Sequence, residues 1–133
     1  MKRTVSVGLL AGLVLLLAGL ALNMAMNVLA PGLKSEYENS GIFRPWSDPL
    51  MSLYFLYPFL FGVLLAWVWR RVAPLQISWN RFAGAVFLVY SIPGMLITYA
   101  SFQVSLGMVL SWTLSGLIDA GLASYLFAKF LKS

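Results

Sequence analysis

Residues 5–30 read VSVGLLAGLVLLLAGLALNMAMNVLA, with no charged side chain, and this run decides the fold class. A helix needs about 20 apolar residues to cross a hydrocarbon core about 30 Å thick. Hydrocarbon offers no water to a backbone amide, so a crossing segment must satisfy its amides within its own helix. Three later stretches qualify in the same way, at about Pro49–Trp69, Phe82–Tyr99 and Val104–Ala128; the last is interrupted only by Asp119.

The connections support this division. Pro31-Gly32 ends the first run, because Pro cannot continue the ladder and Gly suits a C-terminal turn. Ser47-Asp48-Pro49 starts the second, with a capping side chain ahead of a Pro at the first helical position. Arg70-Arg71 closes it. The third and fourth runs have no strong breaker between them, yet residues 100–103 must turn, because one helix over both would be far too long for a bilayer. The expectation is a single all-α domain over residues 1–133: an integral membrane four-helix bundle of two antiparallel hairpins. Its helices lie at about 5–30, 49–69, 82–99 and 104–128, with loops at 31–48 and 70–81.

Composition agrees. The 133 residues are 61% hydrophobic and only 10% charged, with a mean hydropathy of +0.87. Soluble domains carry roughly a quarter charged residues. There is no Cys and no His. Disulfides, thiolate nucleophiles, imidazole metal ligation and His general bases are thereby excluded. No catalytic, cofactor-binding or metal-binding residue is expected, and no cofactor.

The net charge of +5 reads as topology and not as a nucleic-acid surface, because the cations sit at the ends of apolar runs. Lys2, Arg3, Arg70, Arg71, Arg81, Lys129 and Lys132 would share one side, against Lys34 and Arg44 on the other. The positive-inside bias then puts both termini and the 70–81 loop in the cytoplasm, with the 31–48 loop outside. Expected localisation is the inner (cytoplasmic) membrane, multi-pass. A cleaved signal peptide is the rival reading of Met1-Lys2-Arg3 and the run behind it. That run is longer than a normal signal core, and Pro31 would follow the cut, where it tends to block cleavage.

Small residues mark helix contacts in lipid. Gly8, Gly12 and Gly19 form such a seam on the first helix, as do Gly107, Ser111, Gly116 and Ala120 on the fourth. Pro58, Pro93 and Gly94 should kink the second and third helices and free backbone carbonyls. Lining an aqueous path is the sharper alternative for the seams, and a hinge or binding site for the breaks. The 31–48 loop, with Gly41-Ile42-Phe43-Arg44-Pro45-Trp46, suits a segment at headgroup level, or a cap on the bundle.

Asp119 carries the most information. It lies ten residues before Lys129, so at about 1.5 Å per residue it is roughly 15 Å deep. Insertion scales assign a carboxylate there about 2.5–3.5 kcal/mol. The same depth count places Tyr90 and Ser91 at its level, and Ser115 lies one turn away on its own helix. A polar cluster of Asp119, Ser115, Tyr90 and Ser91 is the candidate site. It serves either as hydrogen-bonding glue between helices or as a proton, ion or ligand site.

The run GIFRPWSDPLMSLYFLYPFLFGVLLAWVW, residues 41–69, resembles uncharacterised small four-helix membrane proteins of bacteria and archaea. SIPGMLITYASFQVSLGMVLSWTLS, residues 91–115, has the same character. The resemblance implies a prokaryotic membrane setting and brings no activity or site residues with it.

Function is read first as non-catalytic: a self-associating bundle or an accessory subunit of a larger membrane complex, with the lipid bilayer and other membrane chains as partners. The alternative is an oligomeric small transporter or channel that uses Asp119 as an intramembrane proton- or ion-coupling carboxylate. An enzyme is not expected, since acid–base chemistry needs two tuned groups or a metal.

Overall fold

The computed structural model describes residues 1–132, and every described element is helical. Four helices are long and apolar enough to cross a membrane: Lys2–Leu29, Pro49–Leu75, Trp79–Ser101 and Leu106–Phe130. The first is α1, a regular helix over Lys2–Leu29. A short helix α2 follows at Pro31–Asn39. The second span consists of α3 (Ser52–Val72) with a 3-10 turn at each end. The third runs from α4 (Trp79–Val86) through a π turn (Phe87–Ser91) into α5 (Ile92–Ser101). The fourth is α6, Leu106–Phe130.

Two boundaries differ from the sequence reading. Pro31 does not simply end a helix. It sits at the first position of α2, where its missing N–H costs nothing, so part of the expected 31–48 loop is helical. The second span likewise continues past Arg71 to Leu75 before Gln76, in the left-handed region at φ 53°, reverses the chain. The cap expected at Asp48 forms, and Ser105 supplies one that the sequence reading did not name. Asp48 Oδ1 accepts from the Leu50 N–H at 2.9 Å at the head of the second span. Ser105 Oγ caps α6 by accepting from the Met108 N–H at 3.2 Å, after Phe102 turns extended.

Packing is closest between α1 and α3. A Cβ built on Gly8 would lie 2.6 Å from Val63 Cα, and one on Gly12 would lie 2.6 Å from Phe59 Cα and 2.8 Å from the Pro58 carbonyl oxygen. On the facing side, a Cβ on Gly62 would run into the Gly8 carbonyl oxygen and come 2.8 Å from Gly12 N. Because ascending positions on α1 meet descending ones on α3, the two helices are antiparallel. The third span pairs with α6 in the same sense: Ser91 lies against Gly116, and the Trp79 and Tyr125 rings are 5.9 Å apart. Contact between α1 and α6 joins the two pairs.

These pairings gather both termini, the turn at residues 76–78 and the cations Lys2, Arg3, Arg70, Arg71, Arg81 and Lys129 at one end of the bundle, here called the termini end. The main buried cluster lies in that half, while Met108 and Val109 are buried near the start of α6. Val7, Ala11 and Leu15 recur every four residues on α1 and pack with Leu65, Ala66 and Trp69 of α3, Phe82 of α4, and Ala123 and Phe127 of α6. Trp69 donates its indole N–H to the Leu131 carbonyl at 3.2 Å, with the Phe82 ring 5.1 Å away edge-on.

A methyl group at Gly12 should therefore cost about 1–3 kcal/mol, because backbone and not a flexible side chain occupies its space. At Gly121 a Cβ meets nothing within 4 Å, so Gly121→Ala should stay within about 0.5 kcal/mol of wild type. Denaturation of the two variants in detergent measures both. Equal losses would show that the α1–α3 contact is not what holds the bundle.

Candidate functional site

Away from the termini end the helices diverge around a half-open cavity of about 610 Å³. All four spans contribute walls. From α1 come Leu15, Gly19, Asn23 and Asn27; from α3, Tyr54, Tyr57, Pro58 and Phe61; from the third span, Tyr90, Ser91, Gly94 and Thr98; from α6, Ser111, Trp112, Ser115, Gly116 and Asp119. Asp119 is the only ionisable carboxylate among the lining residues, and no Lys or Arg lines the space.

The position of Ser91 follows from Pro93. A proline there cannot donate to the carbonyl four residues back, and its ring crowds that carbonyl. The chain widens one turn earlier instead: residues 87–91 form a π turn, and the Ile92 N–H bonds to the Phe87 carbonyl, five residues back. Such bulges redirect side chains that a regular helix would place elsewhere. Ser91 is buried at the end of this turn. A Cβ on Gly116 would lie 2.6 Å from its Oγ, so only glycine leaves it room. Asp119 sits on α6 three residues beyond Gly116, on the same face.

The structure thus places Asp119, Ser115, Tyr90 and Ser91 among the residues that line one cavity. Pro58 and Gly94 line it as well. Asp119 has no hydrogen bond or ion pair within the chain among the described residues; the two ion pairs found there are Lys34–Glu38 and Arg44–Asp48. Its carboxyl faces the cavity unpartnered. The seam residues divide. Gly8 and Gly12 are consumed by α3, Gly107 lies against Leu33 of α2, and Ala120 is buried. Ser111 lines the cavity. Gly19, grouped with the packing residues on sequence grounds, also lines it and has nothing within 4 Å of where its Cβ would be. Helix divergence at that level is the reason.

Tyr57 was not singled out by sequence. Its hydroxyl meets that of Tyr90 at 2.5 Å, across the gap between α3 and the third span. Phe61 stacks on Tyr57 and lies 5.2 Å from Tyr90. These rings are a side-chain bridge between two helices whose backbones hardly approach one another. A depth count of the kind that placed Tyr90 reaches Leu60 and Phe61 from Arg70 and Arg71, and so stops one turn short of Tyr57.

The far end of the cavity is covered by α2 and the segment after it. Tyr37, Phe43 and Trp112 form an aromatic cluster with centroids 5.0, 6.0 and 6.1 Å apart, and the Ser105 hydroxyl donates to the Glu36 carboxylate. Burial pushes the Tyr37 phenol above its ordinary range, so it stays neutral near neutral pH. Asn23 and Asn27 bond to one another at 3.2 Å instead of reaching this segment.

Among the described residues no group of three or more His, Cys, Asp or Glu could hold a metal ion. Compared with family models, with curated proteins and with solved structures, the chain matches none.

The Tyr57–Tyr90 bridge should be energetically real but modest. Interhelical side-chain bonds in membrane proteins average about 0.6 kcal/mol, so a double-mutant cycle of Tyr57→Phe and Tyr90→Phe should return a coupling of about 0.5–1.5 kcal/mol. Zero coupling would mean that the two hydroxyls do not bond.

Proposed function

We propose that this chain is a small transporter or channel of a prokaryotic cell membrane, with Asp119 as its coupling carboxylate. The observation that carries this reading is the unpartnered Asp119 carboxyl facing a cavity walled by hydroxyls, amides and aromatic rings. Glue between helices would require a partner for the carboxyl, and the neighbouring helices supply none. Four spans wall the cavity, and the buried cluster of the termini half lies between it and that end of the bundle. Passage therefore requires either a second conformation or additional copies of the chain.

Both termini and the turn at residues 76–78 face the cytoplasm in this reading, and the cavity lies in the outer half of the bundle beneath α2. The support is the cation distribution: Lys2, Arg3, Arg70, Arg71, Arg81, Lys129 and Lys132 against Lys34 and Arg44. Because the chain has no Cys, single cysteines report cleanly. Ser35→Cys should react with a membrane-impermeant maleimide in intact cells, and Lys132→Cys only after permeabilisation. The reverse pattern would invert the topology.

Purified protein in liposomes should let a pH gradient collapse, read by an entrapped pH-sensitive dye, and Asp119→Asn should reduce the rate to that of empty vesicles. Equal rates for wild type and Asp119→Asn would end the coupling role.

A second reading, a non-catalytic self-associating bundle or accessory subunit, is favoured by Gly84 and Gly121. A Cβ at either would meet nothing within 4 Å, which leaves room for a helix of another chain to approach. Native mass spectrometry from mild detergent separates the readings: a second polypeptide in fixed ratio supports the accessory role.

A further inference from the structure

The cavity's walls specify more than a charge. Its one carboxylate stands alone, and no basic residue lines the space to neutralise it. A ligand that stays there must therefore be cationic. Six aromatic residues line the same space: Tyr57, Phe61 and Tyr90, with Tyr37, Tyr54 and Trp112 toward its far end. Ring faces attract cations, and an array of them is the usual solution for binding quaternary ammonium groups.

Bare metal ions fit poorly. A divalent ion requires six or more oxygen ligands, several of them charged, or a compact set of N and S ligands. This cavity has a single carboxylate, and its volume of about 610 Å³ is that of a pocket for a small organic molecule. Most of the lining is apolar: Leu15, Leu22, Met26, Leu33, Met95 and Ile97 face the same space. An apolar body on the ligand would have surface to cover.

We infer that the Asp119 cavity binds a monovalent organic cation with an apolar body, of the alkyl- or arylammonium class, and not an inorganic ion. The carboxylate of Asp119 neutralises the cation, the rings of Phe61, Tyr57 and Tyr90 surround it, and the apolar wall of α1 takes the body. This rests on the site reading given under Proposed function and names the ligand class for that site.

The test uses the full chain in lipid nanodiscs and benzyltrimethylammonium as probe, titrated by calorimetry. Three competitors accompany it: neopentylbenzene, its uncharged carbon isostere; benzenesulfonate, an anion with the same ring; and sodium ion. Saturable binding of one probe per chain is expected, with no displacement by any of the three. Asp119→Asn should weaken the probe roughly 30-fold or more, since it unpairs a desolvated charge. Asp119→Glu should retain binding, and Phe61→Leu, which keeps bulk but removes the ring face, should weaken it about fivefold. Circular dichroism and monodisperse elution establish that each variant is folded. Displacement by the sulfonate or the isostere, or an unchanged affinity in Asp119→Asn, would overturn the inference. So would absent probe binding while Asp119-dependent flux persists in liposomes; that result keeps the transport reading and makes the carrier's cargo a proton or inorganic ion. If flux and probe binding are both absent, the two proposals fail together.

Discussion

The closest backbone approach in this bundle lies where Gly8 and Gly12 of α1 meet Phe59, Gly62 and Val63 of α3. In lipid there is no hydrophobic force to draw two apolar helices together, so surface match and small residues do the work. Three glycines remove every side chain between the two axes at this point. Everything on the termini side of the contact follows from it. Val7, Ala11 and Leu15 reach Leu65, Ala66 and Trp69, and Ala123 and Phe127 of α6 close against both. The opposite half of the bundle is hollow, with Tyr54, Tyr57 and Phe61 of α3 lining the cavity.

The hollow half is joined by weaker devices. A phenol pair spans α3 and the third helix, a π turn carries Ser91 onto Gly116, and a short amphipathic segment lies across the far end. Each is a local, breakable contact and not a packed seam. Low contact density and partial burial are the physical signs of a region able to rearrange at low cost. A binding cavity is better served by such walls than by close-packed ones.

How much of this was legible in the sequence differs by element. The four long helices were, because apolar length is a property of sequence alone. So was the capping at Asp48, whose side chain bonds where its spacing from Pro49 implied. The start of α2 was misread because Pro31 signals a stop for one helix and a start for the next equally well. Gly62 was passed over: a lone glycine among bulky residues shows no periodic seam, and its role exists only opposite Gly8 and Gly12. The π turn had a signal in Pro93, but a proline fixes only that the helix must yield, not whether it yields by a kink or a wider turn. Asp119, Ser115, Tyr90 and Ser91 were found together by counting depth from charged helix ends. The cavity was not, because volume depends on how far helices diverge, which no single helix encodes.

Asp119 is where energetics and function meet. A carboxylate at mid-membrane depth raises the cost of insertion by about 2.5–3.5 kcal/mol, and an intrachain hydrogen bond or a cation could offset this. Neither is present among the described residues. An apolar side chain at this position would lower the insertion cost, and no hydrogen bond or ion pair among the described residues would be lost with the acid. What the acid does provide is an ionisable carboxyl in a ring-lined space, where its attraction for a cation, when ionised, is stronger than in bulk water. That places the return on Asp119 outside the folded chain, in whatever positive group enters the cavity.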